Sequence, residues 1–413
     1  MADEIKPTGE NTPNNTPETE EEYTGILKSI SPGRIMLAAL IGVGVVIYLF
    51  VSQFNPDEFA KIEWSGHVIF WIAMAGVFMC VRHFAYMVRL RIITDGFFSW
   101  KKCFELIMMW EFSSAVTPTS VGGAAVAMFA IAQEKQAAGR TAMIVLYTVV
   151  VDTFSFLSAL LIFFLIFGSI MIQPESFDIQ HLLFDSIWGM GFLFAYGLML
   201  VYGSIFFYGV LINAKGLQRL LLWFCKFRIF RKFREKAVKM TDDMGMASAE
   251  LRKKSWKFHL GSYLSTMLAW GSRFMVLNCL IIAFVAYSPV PEVQGHYNNF
   301  MEGTLDLGTT WQQIFIYARQ QAMYVIMAVL PTPGGAGAAE AAFQTFHYDY
   351  IPTDSSVIPM AGTLLVIMAF IWRFFTYYLY LLVGAIVVPN WVRKIIDRTK
   401  QEAKEAKKNQ QQS

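Results

Sequence analysis

Hydrophobic positions along this chain come in long unbroken runs, not in the alternating or striped patterns of a water-soluble domain. Continuous apolar runs lie at about Arg34–Phe54, Gly66–Ile93, Thr141–Ile172, Phe184–Ala214, Trp256–Tyr287 and Pro359–Val388. Each reaches the roughly 20 residues that an α-helix needs to cross a bilayer. Two further apolar regions, about Phe104–Ala132 and about Trp311–Phe346, are interrupted near their middle. The interruptions echo each other. Ala115-Val116-Thr117-Pro118-Thr119-Ser120-Val121-Gly122-Gly123-Ala124 recurs, with one residue deleted, as Ala328-Val329-Leu330-Pro331-Thr332-Pro333-Gly334-Gly335-Ala336.

Proline and paired glycine stop a continuous helix. Irregular backbone at membrane depth is tolerated only where protein buries it or it lines a cavity. Each broken region therefore predicts a re-entrant element or a pair of half-spans, with the break near the bilayer midplane. Small residues also serve ordinary helix packing, but two matching breaks in the two halves of the chain point to a transporter site.

Charge sets the orientation. Arg89, Arg91, Lys101 and Lys102 follow the second run, and the stretch 215–257 is packed with bases. Asn55–Ser65 carries only Lys61, and 173–183, 288–310 and 347–358 carry no Lys or Arg. Basic loops face the cytoplasm, so both termini and the central loop are expected there. The first broken region then enters from the cytoplasm and the second from the exterior. The predicted fold is an all-α polytopic membrane protein, an inverted-topology repeat of about six full transmembrane helices and two re-entrant broken elements. Residues 30–392 form the transmembrane domain. Residues 1–25, rich in Glu, Thr, Pro and Asn, read as a disordered cytoplasmic arm, and 393–413 as a basic cytoplasmic tail, Lys- and Gln-rich and expected as a frayed helix. Within 215–257, leucines and aromatics interleaved with bases predict an amphipathic segment on an anionic leaflet. Nucleic-acid binding is not expected, because the positive-inside rule already accounts for the bases.

Composition narrows the chemistry. The chain is 55% hydrophobic, which agrees with a bilayer as its solvent. Four cysteines and six histidines show no metal-ligand spacing. No nucleophile–base ordering or phosphate loop stands out, so neither an enzyme nor a cofactor or metal is expected. Ionisable side chains inside the apolar runs carry the signal instead, since such groups are costly and mark pathways. Arg273, Arg373 and Asp152 lie within spans, Arg319 precedes the second break, and Glu340 follows it. Arg82, Tyr86 and Arg89 share one helical face. Converging guanidiniums and broken-helix N-termini suit a phosphate. The architectural alternatives are that Asp152 pairs with Arg273 or Arg373, and that Arg82 and Arg89 reach out to headgroups.

Leu330-Pro331-Thr332-Pro333-Gly334-Gly335-Ala336-Gly337-Ala338-Ala339-Glu340 resembles an element of the lysylphosphatidylglycerol synthase transmembrane-region family, flippase-like membrane proteins. Trp372-Arg373-Phe374-Phe375-Thr376-Tyr377-Tyr378 is similar to that family's arginine and double-tyrosine span, and Pro118 to Gly123 to its N-terminal element. Asp152 falls where the family's following span has an aspartate. The resemblance covers about residues 30–390 and leaves no room for the soluble aminoacyl-transferase domain of full synthases. It implies translocation of a lipid with an anionic headgroup across an inner membrane. Joined to the intramembrane charges Arg273 and Arg319, the expected site is Pro118, Gly122, Gly123, Asp152, Arg273, Arg319, Pro331, Pro333, Gly334, Gly335, Gly337, Glu340, Arg373 and Tyr377. The other readings are a polyisoprenyl-phosphate or glycolipid carrier as substrate, and an accessory protein of cell-envelope synthesis. Membrane lipids are the expected partners, with a second copy of the chain or an envelope enzyme as the candidate protein partners.

Overall fold

The computed structural model describes residues 56–60, 62–116, 120–134, 136, 138–172, 187–227, 234, 238, 245, 248–304, 308–328, 338–352, 358 and 361–412. The arm at 1–25, the run Arg34–Phe54 and most of the second echoed motif lie outside them. Among the described residues the chain is helical with no strand. Five helices among the described residues are long and apolar enough to cross a membrane: Gly66–Ile93, Gly139–Met171, Gly189–Ile212, Trp256–Ala286 and Ala361–Arg398. The first coincides with its apolar run, and the others begin or end within a few residues of theirs. The exception is the last, which continues in helical form to Gln412.

Helix α1 (Gly66–Ile93) starts where the Ser65 hydroxyl accepts from the Val68 amide at 3.3 Å. It ends at a left-handed pair, Asp95 with φ 53° and Gly96 with φ 75°, a conformation that terminates helices. The α1 end is pinned by Lys254, whose ammonium lies 2.8 Å from the Asp95 carboxylate. At the other end the His67 imidazole bonds the Ile282 carbonyl at 3.1 Å. Helix α7 (Trp256–Ile281, continued by a π-helical turn to Ala286) therefore runs antiparallel to α1 along its whole length.

Helices α2 (Trp100–Val116) and α3 (Ser120–Ala132) form a hairpin. Its open end is closed by Lys102 and Glu134, 3.0 Å apart. Towards its tip the two backbones converge so closely that a Cβ on Gly123 would lie 1.9 Å from the Ser114 hydroxyl. The first broken region is thus re-entrant. Helix α4 (Ala138–Phe167) leaves from the same face, where Arg140 and Asp95 meet at 3.5 Å. Helix α5 (Ile187–Phe207) returns antiparallel to α4 and continues through a π-helical turn, Tyr208–Ile212, into the short α6 (Ala214–Phe224).

After α7 come α8 (Pro291–Asn298), then α9 (Thr309–Ala328) and α10 (Ala338–His347), which pack as a second hairpin. Trp311 and Phe315 near the start of α9 stack edge-on against Phe167 at the end of α4, with centroids 6.3 and 5.4 Å apart. Since α4 begins beside Asp95 and ends here, the two hairpins open on opposite faces of the bundle. The last span comprises α11 (Ala361–Arg373), a π-helical segment Phe374–Tyr378, and α12 (Leu379–Gln412). It returns to the first hairpin's mouth, where Lys394 meets Glu105 at 2.7 Å.

Exposed Trp64, Tyr287 and Trp311 ring one face, and Trp100, Trp223 and Trp256 ring the other. Such paired aromatic girdles mark membrane–water boundaries. The core is divided. One buried cluster gathers Phe274–Val285, Phe315–Ile326, Ala339–Phe346 and Ala361–Trp372 around the second hairpin. Another gathers Ala85–Ile93, Cys103–Phe112, Ala127–Ile131 and Ala142–Val151 around the first. Along α1, α4, α7 and the last span, the boundary between the clusters falls at Arg82, Asp152, Trp270 and Arg373. Arg82, Asp152 and Arg373 occupy that boundary.

Candidate functional site

Helix α1 projects Arg82, Tyr86 and Arg89 inward as one row, which the i, i+4, i+7 spacing dictates. Arg82 Nη2 donates to both oxygens of Glu111 on α2, each at 3.0 Å. Its Nη1 donates to the Tyr380 hydroxyl at 2.5 Å. The guanidinium also lies over the rings of Tyr86, Tyr380 and Trp270, at 4.7, 5.0 and 5.8 Å. Arg89 donates to Asp152 Oδ1 at 2.5 Å and to the Thr266 hydroxyl at 3.2 Å. The Trp270 indole N–H donates to the same Asp152 oxygen at 3.0 Å.

These pairs correct both architectural alternatives. Asp152 takes Arg89 as its partner, not Arg273 or Arg373. Arg82 and Arg89 do not reach out to headgroups, because α2, α4 and α7 cover this face of α1 and leave their side chains 2% and 6% exposed. A guanidinium so enclosed needs a carboxylate beside it. The carboxylates are the accessible members of the pairs, at 19% for Glu111 and 25% for Asp152.

Arg273 differs. It stands one turn beyond Trp270 on α7, half-buried, with its guanidinium 5.1 Å from the Tyr324 ring centroid and 5.9 Å from that of Trp270. Among the described residues no carboxylate lies within ion-pair distance of it. Trp270, Tyr324 and Phe156 crowd together, with centroids 4.5 to 5.7 Å apart, so the cation sits at the edge of an aromatic nest.

Arg373 is buried, 4.6 Å from the ring centroid of Tyr377. The Tyr377 hydroxyl donates at 3.1 Å to the carbonyl of Ala115, in the last turn of α2. The π-helical segment thus brings the arginine and double-tyrosine element of the second half against the break of the first. Such segments recur at functional sites. Gly123 makes the close crossing with Ser114, and Gly122 lies in the first turn of α3, whereas Pro118 is outside the described residues. Pro331, Pro333, Gly334, Gly335 and Gly337 are outside them too, and Glu340 falls in the first turn of α10.

Arg319 belongs to a separate group. Its Nη1 donates to Asp349 at 2.6 Å and its Nη2 to the Ile170 carbonyl at 2.8 Å. Phe315, Phe300 and Tyr350 surround the guanidinium at 4.9 to 5.7 Å. This set ties the second hairpin to the end of α4, away from the central row.

Trp270, Tyr324, Thr266 and Tyr380 were not singled out from sequence. Two had a signal. Trp270 precedes Arg273 by three residues and Tyr380 follows Arg373 by seven, so each shares a face with a membrane arginine. Among the described residues no group of three or more metal-ligating side chains occurs.

Comparison with known proteins agrees with this architecture. The family described as "Lysylphosphatidylglycerol synthase TM region" matches residues 35–292. That stretch contains the first motif, Asp152 and Arg273, and ends before the second motif and Arg373. A "UPF0104 membrane protein" of Archaeoglobus fulgidus is 21% identical over 366 residues, covering 86% of this chain and 95% of its own. No solved structure matches. With more than half of its length matched, the chain belongs to the lysylphosphatidylglycerol synthase transmembrane-region family of membrane proteins.

Proposed function

We propose that this protein carries a lipid with an anionic headgroup between the leaflets of a cell's inner membrane, without a catalytic step. The observation that carries the reading is Arg273, a half-buried guanidinium at the core boundary that faces aromatic rings and has no carboxylate partner among the described residues. A charge there is costly unless something neutralises it, and a phosphate offers the planar fork two parallel bonds. Helices α3 and α10 both begin at the breaks, where free amides and the helix dipole favour an anion. Acyl chains would stay in the bilayer while the headgroup crosses through the protein. The opposed hairpins support an inverted repeat with its site at the midplane. The basic loops support cytoplasmic termini.

The test is a leaflet-resolved transport assay in proteoliposomes. Arg273→Gln should slow movement of a fluorescent phosphatidylglycerol by about tenfold or more, the loss expected for one charged hydrogen bond of about 1.5–3 kcal/mol. Arg273→Lys should recover only part of the rate. A polyisoprenyl phosphate run in parallel identifies which lipid class competes. Full transport by Arg273→Gln would leave Arg273 as architecture, and an accessory role in envelope synthesis would then be the better account.

A further inference from the structure

Helix α6 is fixed at an unusual place. It leaves the end of α5 through Asn213, whose extended backbone turns the chain and whose side chain accepts from the Gly216 amide at 3.1 Å. Two glycine notches lock the corner reciprocally. A Cβ on Gly209 would lie 2.6 Å from Leu217 Cδ2, and one on Gly216 would lie 2.4 Å from Tyr208 Cε1. The Ser248 hydroxyl and the Arg252 guanidinium bond the Val210 and Ile212 carbonyls that the π-helical turn leaves free. Ala214 and Leu217 are buried in this joint, so the opposite side of α6 must face outward.

That side has two adjoining strips. Lys215 and Arg219, one turn apart, are exposed, and Lys226 is exposed just past the helix end. No acidic residue occurs between 214 and 227, and none of the three bases enters an ion pair among the described residues. Beside them Trp223, Phe224 and Phe227 are also exposed and stack edge-on, with Trp223 4.9 and 5.6 Å from the two phenylalanine rings. Three large aromatics would not be held in water by a soluble surface. Helix α5 carries an exposed apolar row from Phe194 to Ile212, the surface that acyl chains cover, and the aromatic strip continues that row around the corner.

We propose that α6 is a lipid-contact site separate from the central row, one that takes the phosphate headgroups of anionic phospholipids. Lys215, Arg219 and Lys226 hold the headgroups, while Trp223, Phe224 and Phe227 enter the headgroup–acyl boundary of the same leaflet. Apolar insertion and attraction to an anionic leaflet act together in such elements. Charge complementarity selects the lipid class, and continuity with the acyl-facing row of α5 selects a membrane over a soluble partner.

The experiment uses the full chain. A spin label is attached at Phe224→Cys on a Cys80→Ser background, because Cys80 is the exposed cysteine and the other three are buried. The labelled protein is placed in nanodiscs of phosphatidylcholine alone or mixed with phosphatidylglycerol. Collisions of the label with oxygen and with a water-soluble nickel chelate report its depth. In the mixed bilayer, nickel collisions should fall several-fold relative to the neutral bilayer. They should rise again in the combined variant Lys215→Gln, Arg219→Gln, Lys226→Gln, and in the unsubstituted segment at high salt, which screens the charges. The salt arm decides the matter even where the triple variant fails to fold. Equal depth in neutral and anionic bilayers would overturn the headgroup role. Nickel access in both bilayers would show that the face meets an aqueous partner. Neither outcome depends on whether lipid crosses the membrane, so this proposal and the transport reading fail separately.

Discussion

Phe112 of the first hairpin fills the notch that Gly384 leaves on the last helix. A Cβ at position 384 would lie 2.5 Å from Phe112 Cδ2 and 2.6 Å from its Cβ. The hairpin is therefore docked by shape against the span that carries Arg373. Gly384→Ala overpacks this contact and should destabilise the protein by about 1–3 kcal/mol, read as a lowered midpoint of thermal unfolding in detergent. Combining it with Phe112→Ala should recover part of the loss. If the double variant is no better than the sum of the singles, the notch is not the cause.

Removing one member of a buried ion pair should cost more than removing both. Asp152→Ala leaves Arg89 enclosed with the Thr266 hydroxyl and the Tyr86 ring beside it but no carboxylate among the described residues, and should cost about 3–5 kcal/mol. Arg89→Gln combined with Asp152→Asn should cost less than that single change. The comparison is made by thermal unfolding at matched detergent and lipid.

Tyr377→Phe deletes the hydroxyl that satisfies the Ala115 carbonyl at the first break. An unsatisfied buried acceptor costs about 1–3 kcal/mol, and the loss should appear as faster proteolysis or thiol labelling around the tip of the first hairpin. Unchanged protection there would mean that the bond does not hold the break.

At Arg373, lysine keeps the charge but loses the planar cation that packs 4.6 Å from the Tyr377 ring centroid. Transport by Arg373→Lys should drop about tenfold in the proteoliposome assay, with expression and thermal midpoint near wild type. A variant that transports normally would place Arg373 among the packing residues.

Orientation is open to a direct check. Single cysteines at Lys253 and Gly303, on a background without Cys80, should react with an impermeant thiol reagent from opposite sides of the membrane. Reaction of both from one side would end the inverted-repeat reading.

Much of the bundle could be read from sequence because each span is a self-sufficient run. Gly66–Ile93 needs no distant residue to declare itself a helix, only uninterrupted apolar length. The row of Arg82, Tyr86 and Arg89 was legible for a similar local reason, since helical periodicity alone puts the three on one face. Their partners were not. Glu111 and Asp152 stand 29 and 63 residues from the arginines they bind, and only the packing of α2 and α4 on α1 gives Arg82 its carboxylate and pairs Asp152 with Arg89 in place of Arg273 or Arg373. The helical continuation past Arg393 was legible from its Lys- and Gln-rich composition, and it runs unbroken from the last span to Gln412.

Arg82 and Arg89 lie seven residues apart, about 10 Å along the helix axis. One fastens α1 to α2 and the other fastens it to α4. A rod bolted at one point can pivot, but a rod bolted at two can neither tilt nor slide without shearing a bolt. Helix α1 is thus held as a stator, and under the proposed transport the working stroke would be made by parts that move against it.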